Sequence, residues 1–129
     1  MADDFKSKLP KALIVFRALI KNNEGKFLFL KRSDYRNWLN FKWEPPGGRL
    51  KIDEDISSLL EREILEETSL KIKPDSQPFY SQLRMCVDYK DIPAILVFFM
   101  STIVSGDIKL SNEHTEYRWV DLKEAAALD

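Results

Sequence analysis

Between Gly48 and Leu70 the sequence carries a stripe of residues that begins apolar and ends acidic. At helical spacing its six positions fall within one arc of roughly 120°; they are Ile56, Leu59, Leu60, Glu63, Glu66 and Glu67. A solvated amphipathic helix places its glutamates opposite its leucines, whereas here the acidic positions continue the inward-facing side. We therefore predict a helix from near Asp53 to about Thr68, with carboxylates directed toward a pocket.

The three glutamates of this stripe are related by i, i+3 and i+4, so on a helix their side chains are neighbours. Like charges at this spacing destabilise a helix by about a few tenths of a kcal/mol per pair. A divalent cation would remove this repulsion and would satisfy half-buried carboxylates. The spacing of Glu63, Glu66 and Glu67 therefore favours a metal site over a purely structural helix.

The residues around these glutamates follow a longer pattern at set intervals. Its members are Gly48, Glu54, Arg62, Glu63, Ile64, Glu66, Glu67 and Leu70. The chain thereby resembles the Nudix hydrolases, whose box reads G-x5-E-x7-R-E-U-x-E-E-x-G-U with U an aliphatic residue. The preceding Trp43-Glu-Pro-Pro-Gly-Gly48 is similar to the family's W-x-x-P-G-G sequence. Two positions differ, because Ser69 replaces the final glycine of the box and Pro45 replaces a bulky apolar residue.

The resemblance implies an α/β/α sandwich with a mixed β-sheet, and an enzyme that cleaves a nucleoside diphosphate linked to another moiety. It also implies Mg²⁺, with Mn²⁺ as a substitute. The metal ligands that it implies are the Gly48 carbonyl, Glu63, Glu66 and Glu67. Arg62 is expected to orient a catalytic glutamate, and Glu54 to hold the preceding loop to the helix. The alternative is that Arg62 and Glu54 only pair with each other or with Glu61.

A further carboxylate is expected just before the last strand. Glu113 lies six residues before Trp119, and this spacing resembles the loop where many Nudix proteins place another metal-binding or water-activating glutamate. Glu116 is the alternative. His114 is the single histidine of the chain. A metal-bound water does not require a histidine base, and a lone histidine in a loop is more often exposed, so we expect His114 to be exposed.

The expected substrate is a small-molecule nucleotide. The minimal chain favours a (deoxy)nucleoside triphosphate, with ADP-ribose, dinucleotide or coenzyme A substrates as alternatives. A Nudix module that binds a nucleotide without cleaving it is a further alternative, but such members usually lack box carboxylates that are all present here. Trp43, Phe79, Tyr80 and Arg84 could contact a nucleobase, although packing in the core or at a rim is the usual role of aromatic residues.

Length and composition narrow the class of protein. The 129 residues are 44% apolar, which indicates a single domain over residues 1–129 with residues 1–10 as a flexible leader. The net charge of −1 gives no basis for binding a nucleic-acid polymer or a membrane surface. The N-terminus lacks a signal-type apolar core, so a cytoplasmic location is expected. The single cysteine, Cys86, is predicted to be a small core or strand residue.

The remaining pattern predicts alternating strands and connections. We expect a strand at Ala12–Ile20 that forms a hairpin with Lys26–Lys31, and a turn at Trp43–Gly48. Further strands are predicted at Leu70–Lys73, Phe79–Tyr89, Ala94–Val104 and Glu116–Val120, with a helix at Leu122–Leu128. Ser69 would end the long helix in a left-handed conformation or, alternatively, continue in an extended one.

Overall fold

The computed structural model describes residues 8–33, 42–85 and 92–128. Within these ranges it contains eight strands and two helices. The strands are β1 (Leu13–Ile20), β2 (Phe27–Arg32), β3 (Trp43–Glu44), β4 (Gly47–Arg49), β5 (Lys71–Pro74), β6 (Tyr80–Met85), β7 (Pro93–Ser105) and β8 (His114–Val120). The helices are α1 (Ile56–Thr68) and α2 (Leu122–Ala127).

The larger sheet has five strands and is mixed, as predicted. β1 pairs with β7 in parallel and with β4 in antiparallel orientation. The long strand β7 also pairs with β6 along its first half and with β5 along its second half, both antiparallel. The smaller sheet is antiparallel, with the order β3-β2-β8. The chain is therefore of the α/β class, with a helix packed against a mixed sheet.

The predicted hairpin between the first two strands is wrong. A single antiparallel bridge, Lys21 to Phe27, connects β1 and β2, and β2 then enters the smaller sheet. The reason is competition for strand edges, because β4 and β7 occupy the two edges of β1. β2 instead satisfies its backbone against β3 and β8.

The helix α1 covers the larger sheet with the apolar part of its stripe. Leu59, Leu60 and Ile64 are completely buried and belong to the same core as Phe16 and Phe99. The rings of those two phenylalanines meet edge to face at 5.9 Å. This packing, rather than helix propensity, anchors the acidic half of the stripe beside the sheet.

The ends of α1 differ in part from expectation. The helix begins at Ile56 rather than near Asp53, because the Asp55 side chain accepts a 2.9 Å hydrogen bond from the Ser58 amide and caps it. This bond keeps the pKa of Asp55 below its usual range. The other end matches the first alternative for Ser69, whose φ of 66° is left-handed.

Several other boundaries are shifted or lie outside the described residues. The predicted turn at Trp43–Gly48 contains two short strands, β3 and β4, and β8 begins two residues before Glu116. The described part of β6 is Tyr80–Met85; residues 86–91, with Cys86 and Tyr89, lie outside the described ranges, as do residues 1–7. Neither described helix is long and apolar enough to cross a membrane.

Candidate active site

A charged cavity of about 280 Å³ lies where α1 approaches β1, β3 and β4. Its lining contains four acidic and four basic side chains: Glu44, Glu63, Glu67, Glu113, Arg17, Arg32, Arg49 and Lys51. Gly47 and Gly48 complete the wall on the side of β4. The cavity thus combines oxygen donors suited to a hard cation with cations suited to phosphate.

The two glycines allow neighbouring elements to approach β4, the helix at Gly48 and β1 at Gly47. A Cβ atom on Gly48 would lie 2.8 Å from Cδ of Glu63, and one on Gly47 would collide with the carbonyl oxygen of Phe16. Larger residues at these positions would push either the Glu63 carboxylate or strand β1 away. Steric contacts therefore favour glycine at both positions.

Glu67 is the most deeply buried carboxylate of the acidic stripe, with 6% of the residue exposed. One oxygen accepts a 3.2 Å hydrogen bond from the Gly47 amide. Burial raises the pKa of Glu67 well above its usual value, Arg17 opposes this rise, and the charges of Glu44 and Glu63 add to it. Desolvation therefore disfavours the charged form of this carboxylate.

Arg62 is the centre of an ion-pair cluster on the outer side of α1, which we name the Arg62 cluster (Arg62, Glu54, Glu63 and Glu66). Its guanidinium donates to both Glu54 oxygens at 2.8 and 2.9 Å, to Glu63 at 3.2 Å and to Glu66 at 3.2 and 3.3 Å. The hydrogen bond from Arg62 keeps the pKa of Glu54 below its usual range. The bonds from Glu54 and Glu66, working against the effect of burial, raise the pKa of Arg62. The cluster ties the loop before α1 to the helix.

The structure separates the three glutamates of the stripe. Glu63 and Glu67 line the cavity, whereas the Glu66 side chain is 59% exposed and faces Arg62. In the described ranges no three acidic, histidine or cysteine side chains form a ready-made metal site. The Arg62 guanidinium donates to both Glu66 oxygens on the side of the helix. The cavity therefore receives two helix carboxylates rather than three.

Glu113 reaches the same cavity from the other end of the chain. Its backbone oxygen accepts from the amide and the hydroxyl of Ser33 at 2.9 and 3.0 Å. On the other side, the amide of Ser111 donates to the backbone oxygen of Glu67 at 3.0 Å. These bonds place Glu113 in the wall that also contains Glu63 and Glu67. Glu116 lies elsewhere, in an exposed ion pair with Lys31.

The expectation that His114 is exposed is wrong, since only 4% of it is accessible. It opens β8, opposite Arg32 of β2. Nε2 is 3.0 Å from Oε2 of Glu44. A strand that begins two residues earlier than predicted turns this side chain inward.

A second ion-pair cluster surrounds Glu44, and sequence reasoning missed it. We name it the Glu44 cluster (Glu44, Arg17, Arg32 and His114). Arg17 donates to Oε1 at 3.2 Å, and Arg32 donates to Oε2 at 3.1 Å. Burial alone would raise the pKa of Glu44, but Arg17, the hydrogen bond with His114 and Arg32 together lower it to about 2. The available signal was Arg17, the one charge within the apolar strand Leu13–Ile20.

A second, larger cavity of about 860 Å³ adjoins the first and shares Arg17 with it. Its walls are mainly apolar and aromatic: Leu19, Phe29, Trp43, Pro45, Tyr80, Leu96, Phe98, Leu122 and Leu128, with Gln82 and Arg84. Tyr80 packs on Phe98 at 5.7 Å between ring centroids. One face of Trp43 is covered by Arg118 at 4.7 Å. Phe79 is exposed and does not line this cavity.

The donor set of the charged cavity fits a divalent cation. Glu63, Glu67 and Glu113 offer hard oxygen ligands, which Mg²⁺ prefers. Burial raises the pKa of Glu67, and a cation bound beside this carboxylate would favour its charged form. Among the described residues of this wall there is no histidine or cysteine, so these residues favour a hard cation over a soft metal.

Comparison with known proteins agrees with this architecture. The family model of the NUDIX domain matches residues 11–129. The 8-oxo-dGTP diphosphatase of Buchnera aphidicola subsp. Schizaphis graminum (strain Sg) is 30% identical over 111 residues, 86% of this chain and 78% of that protein. The asymmetrical bis(5'-nucleosyl)-tetraphosphatase of Mus musculus is 29% identical over 124 residues, 90% of this chain and 80% of that protein.

A solved structure has a similar fold. The crystal structure of the MutT protein from Methanosarcina mazei Go1 superimposes with a TM-score of 0.77 at 30% identity, covering 93% of this chain and 84% of that one. Nudix hydrolases generally use divalent metal ions, in accord with the oxygen donors of the charged cavity. From the box, the mixed sheet and the match over residues 11–129 it follows that this chain belongs to the Nudix family and is a pyrophosphohydrolase.

Proposed function

We propose that this chain hydrolyses a (deoxy)nucleoside triphosphate at a diphosphate linkage, with Mg²⁺ or Mn²⁺ as the metal. The observation that carries the proposal is the pair of adjoining cavities that share Arg17. One is small and charged and suits phosphates, and the other is apolar and suits a base and sugar. A nucleoside polyphosphate likewise joins a charged phosphate chain to a less polar base and sugar.

The acidic wall is the proposed metal site. Glu63, Glu67 and Glu113 would hold the cation together with the Gly48 carbonyl, and Glu66 would join them on leaving Arg62. The bound metal supplies charge neutralisation at the phosphate oxygens and lowers the pKa of an attacking water. Arg62 and Glu54 would keep Glu63 in place, since Arg62 bonds to both.

The basic wall is the proposed phosphate site. Arg17, Arg32, Arg49 and Lys51 line the cavity opposite the carboxylates, and guanidinium groups match phosphate oxygens in pairs. The lining is formally neutral, with four charges of each sign. A polyphosphate therefore needs a metal ion with it, because the four cations are already balanced by the four carboxylates.

The apolar cavity is the proposed base site. Tyr80 and Phe98 offer an aromatic wall, and Trp43 and Arg84 lie in the same lining. Aromatic faces bind bases by stacking, without strong selection among them. This wall supports a nucleotide substrate and leaves the choice of base to polar groups at its edge.

A nucleotide panel with Mg²⁺ tests the proposal. Release of nucleoside monophosphate would be measured for nucleoside triphosphates, 8-oxo-dGTP, a dinucleoside tetraphosphate and ADP-ribose, with Glu67→Gln as the inactive control. The second product would be pyrophosphate from a triphosphate, a nucleoside triphosphate from the tetraphosphate and ribose 5-phosphate from ADP-ribose. Faster turnover of a triphosphate supports the proposal. Faster turnover of the tetraphosphate, the substrate named for the mouse relative, or of ADP-ribose would replace it. Binding without turnover of any of them would make the chain a nucleotide-binding module.

A further inference from the structure

We infer that Glu44 is a positioning residue that holds Arg17 and Arg32 at the phosphate cavity, and that His114 holds Glu44. The inference rests on the proposed function for the identity of what the arginines bind. The four residues concerned, those of the Glu44 cluster, all lie outside the box that runs from Gly48 to Leu70. Its basis is the geometry of the Glu44 cluster.

Glu44 connects the two sheets through its two oxygens. Oε1 accepts from Arg17 on β1 of the larger sheet, and Oε2 accepts from Arg32 on β2 of the smaller one. His114 on β8 approaches Oε2 as well. The Glu44 side chain is only 5% exposed, so water does not compete for these contacts.

Two arginines beside one cavity need such an anchor. Their like charges repel each other, and each long side chain loses rotamer freedom when it is held in one place. Arg17 is itself buried, and within the described ranges its hydrogen-bond partner is Glu44. A shared carboxylate therefore orders the cations before a phosphate arrives, which lowers the cost of binding.

His114 contributes through one atom. Nε2 faces the Glu44 carboxylate, whereas Nδ1 is buried without a hydrogen-bond partner among the described residues. Because a carboxylate only accepts, the nitrogen that faces it carries the hydrogen. The ring thus donates to Glu44 through Nε2, and among the described residues Nδ1 makes no second hydrogen bond.

The first test observes the arginines directly, without substrate. In Glu44→Gln, rotation of the Arg17 and Arg32 guanidinium groups, measured by ¹⁵N NMR, is expected to accelerate about tenfold as a charged partner is lost. Arg62 is the internal control, because its bonds to Glu54 remain. Unchanged rotation of Arg17 and Arg32 in a folded variant would overturn the inference.

The second test uses inorganic tripolyphosphate with Mg²⁺ as the probe and calorimetry as the measurement. His114→Phe, which keeps a ring and removes the donor, is expected to weaken binding about fivefold, a loss of the size of one hydrogen bond. His114→Gln, which restores an N–H donor, should recover affinity. Glu116→Gln is the matched control on the same strand, since Glu116 pairs with exposed Lys31.

Kinetics separate positioning from general destabilisation. With the best nucleotide of the panel, His114→Phe should raise KM about fivefold while kcat changes less than about twofold. A fall in kcat with KM unchanged would contradict the inference. If Glu44→Gln fails to fold, the comparison of His114→Phe with His114→Gln still tests the inference. If no nucleotide is hydrolysed, the NMR and tripolyphosphate results still stand, so the proposed function can fail separately.

Discussion

The Arg62 cluster and the Glu44 cluster are built from the same kinds of groups in opposite arrangements. In the first, one partly exposed cation binds three carboxylates. All four groups come from residues 54–66 of the chain. In the second, one buried carboxylate binds two arginines and a histidine that come from β1, β2 and β8. Both clusters border the same cavity.

The difference concerns what each cluster can contribute. Exposed ion pairs are screened by water and add little to stability, so the Arg62 cluster serves mainly to orient carboxylates. A buried charge that loses its partners is strongly destabilising, so the Glu44 cluster serves both stability and the orientation of cations. Glu67 lies between the two clusters. The charges of Arg17 and Glu44 in one cluster and of Glu63 in the other all affect its pKa.

The largest expected effect is at Glu67. Glu67→Gln should lower kcat/KM about a thousandfold, the loss expected when a metal ligand contributing about 4 kcal/mol is removed. Without Mg²⁺ at neutral pH the variant should be at least as stable as the wild type, because glutamine removes the cost of a buried charge. Steady-state rates and thermal melts measure both.

Glu66→Gln completes this test, and it too is expected to lose most turnover once Glu66 leaves Arg62 for the metal. Near-wild-type rates in both variants would reject the metal assignment. A loss in Glu67→Gln alone would mean that Glu66 stays in the Arg62 cluster during catalysis.

The second prediction separates the clusters by pH. The pKa of Glu44 is lowered from 4.5 to about 2, so its stabilisation is present above pH 4.5 and is lost as the pH falls toward 2. The difference in unfolding free energy between wild type and Glu44→Gln should therefore shrink by about 3 kcal/mol across that window. Urea unfolding at several pH values measures it. Glu54→Gln, in the exposed Arg62 cluster, should show a much smaller change.

The third prediction concerns metal binding. Mg²⁺ at about a hundred times its Kd should stabilise the folded chain by about 3 kcal/mol, because only the folded state brings the ligands together. Glu63→Gln should reduce the rise in melting temperature, whereas Glu24→Gln in the exposed β1–β2 turn should not. An absent shift at millimolar Mg²⁺ would count against the cavity as a metal site.

The fourth prediction compares two glutamates of the last strand region. Glu113→Gln should slow turnover about a hundredfold, as expected for a group that activates water, with a smaller change in KM. Glu116→Gln should do less, because Glu116 points to Lys31 instead of the cavity. Rates measured side by side decide, and a slower Glu116 variant would refute the placement of Glu113.

The smallest effect is expected at Ser69, where the box has glycine. Its left-handed backbone costs about 1 kcal/mol relative to glycine, but its hydroxyl donates to the Lys109 carbonyl at 3.2 Å and offsets part of that cost. Ser69→Gly should therefore be slightly more stable than wild type, and Ser69→Ala, which keeps the strain and loses the bond, less stable. Chemical denaturation ranks the three. A Ser69→Gly variant less stable than wild type would mean that the hydroxyl bond outweighs the strain.

The parts of the fold that sequence reasoning predicted correctly are local. Helical periodicity placed Leu59 and Leu60 in the core and Glu67 on the same side, because residues three and four apart share a face of any α-helix. The left-handed end at Ser69 follows from the position of the family glycine. The mixed sheet followed from the resemblance.

The parts that it missed depend on long-range competition. The strand β2 could pair with β1 or with β8, and the choice rests on which edges of β1 were already occupied. His114 was expected outside because the start of β8 was placed two residues too late.

By itself, the sequence determined the acidic face of α1, the Trp43-Glu-Pro-Pro-Gly-Gly48 turn before it and therefore the family and its chemistry, since these depend on residues adjacent along one helix and one turn. Only the tertiary structure decided that Arg17, Arg32 and His114 converge on Glu44. Their separation along the chain carries no information about distance. The convergence arises because two sheets pack so that a single buried carboxylate must satisfy charges from both.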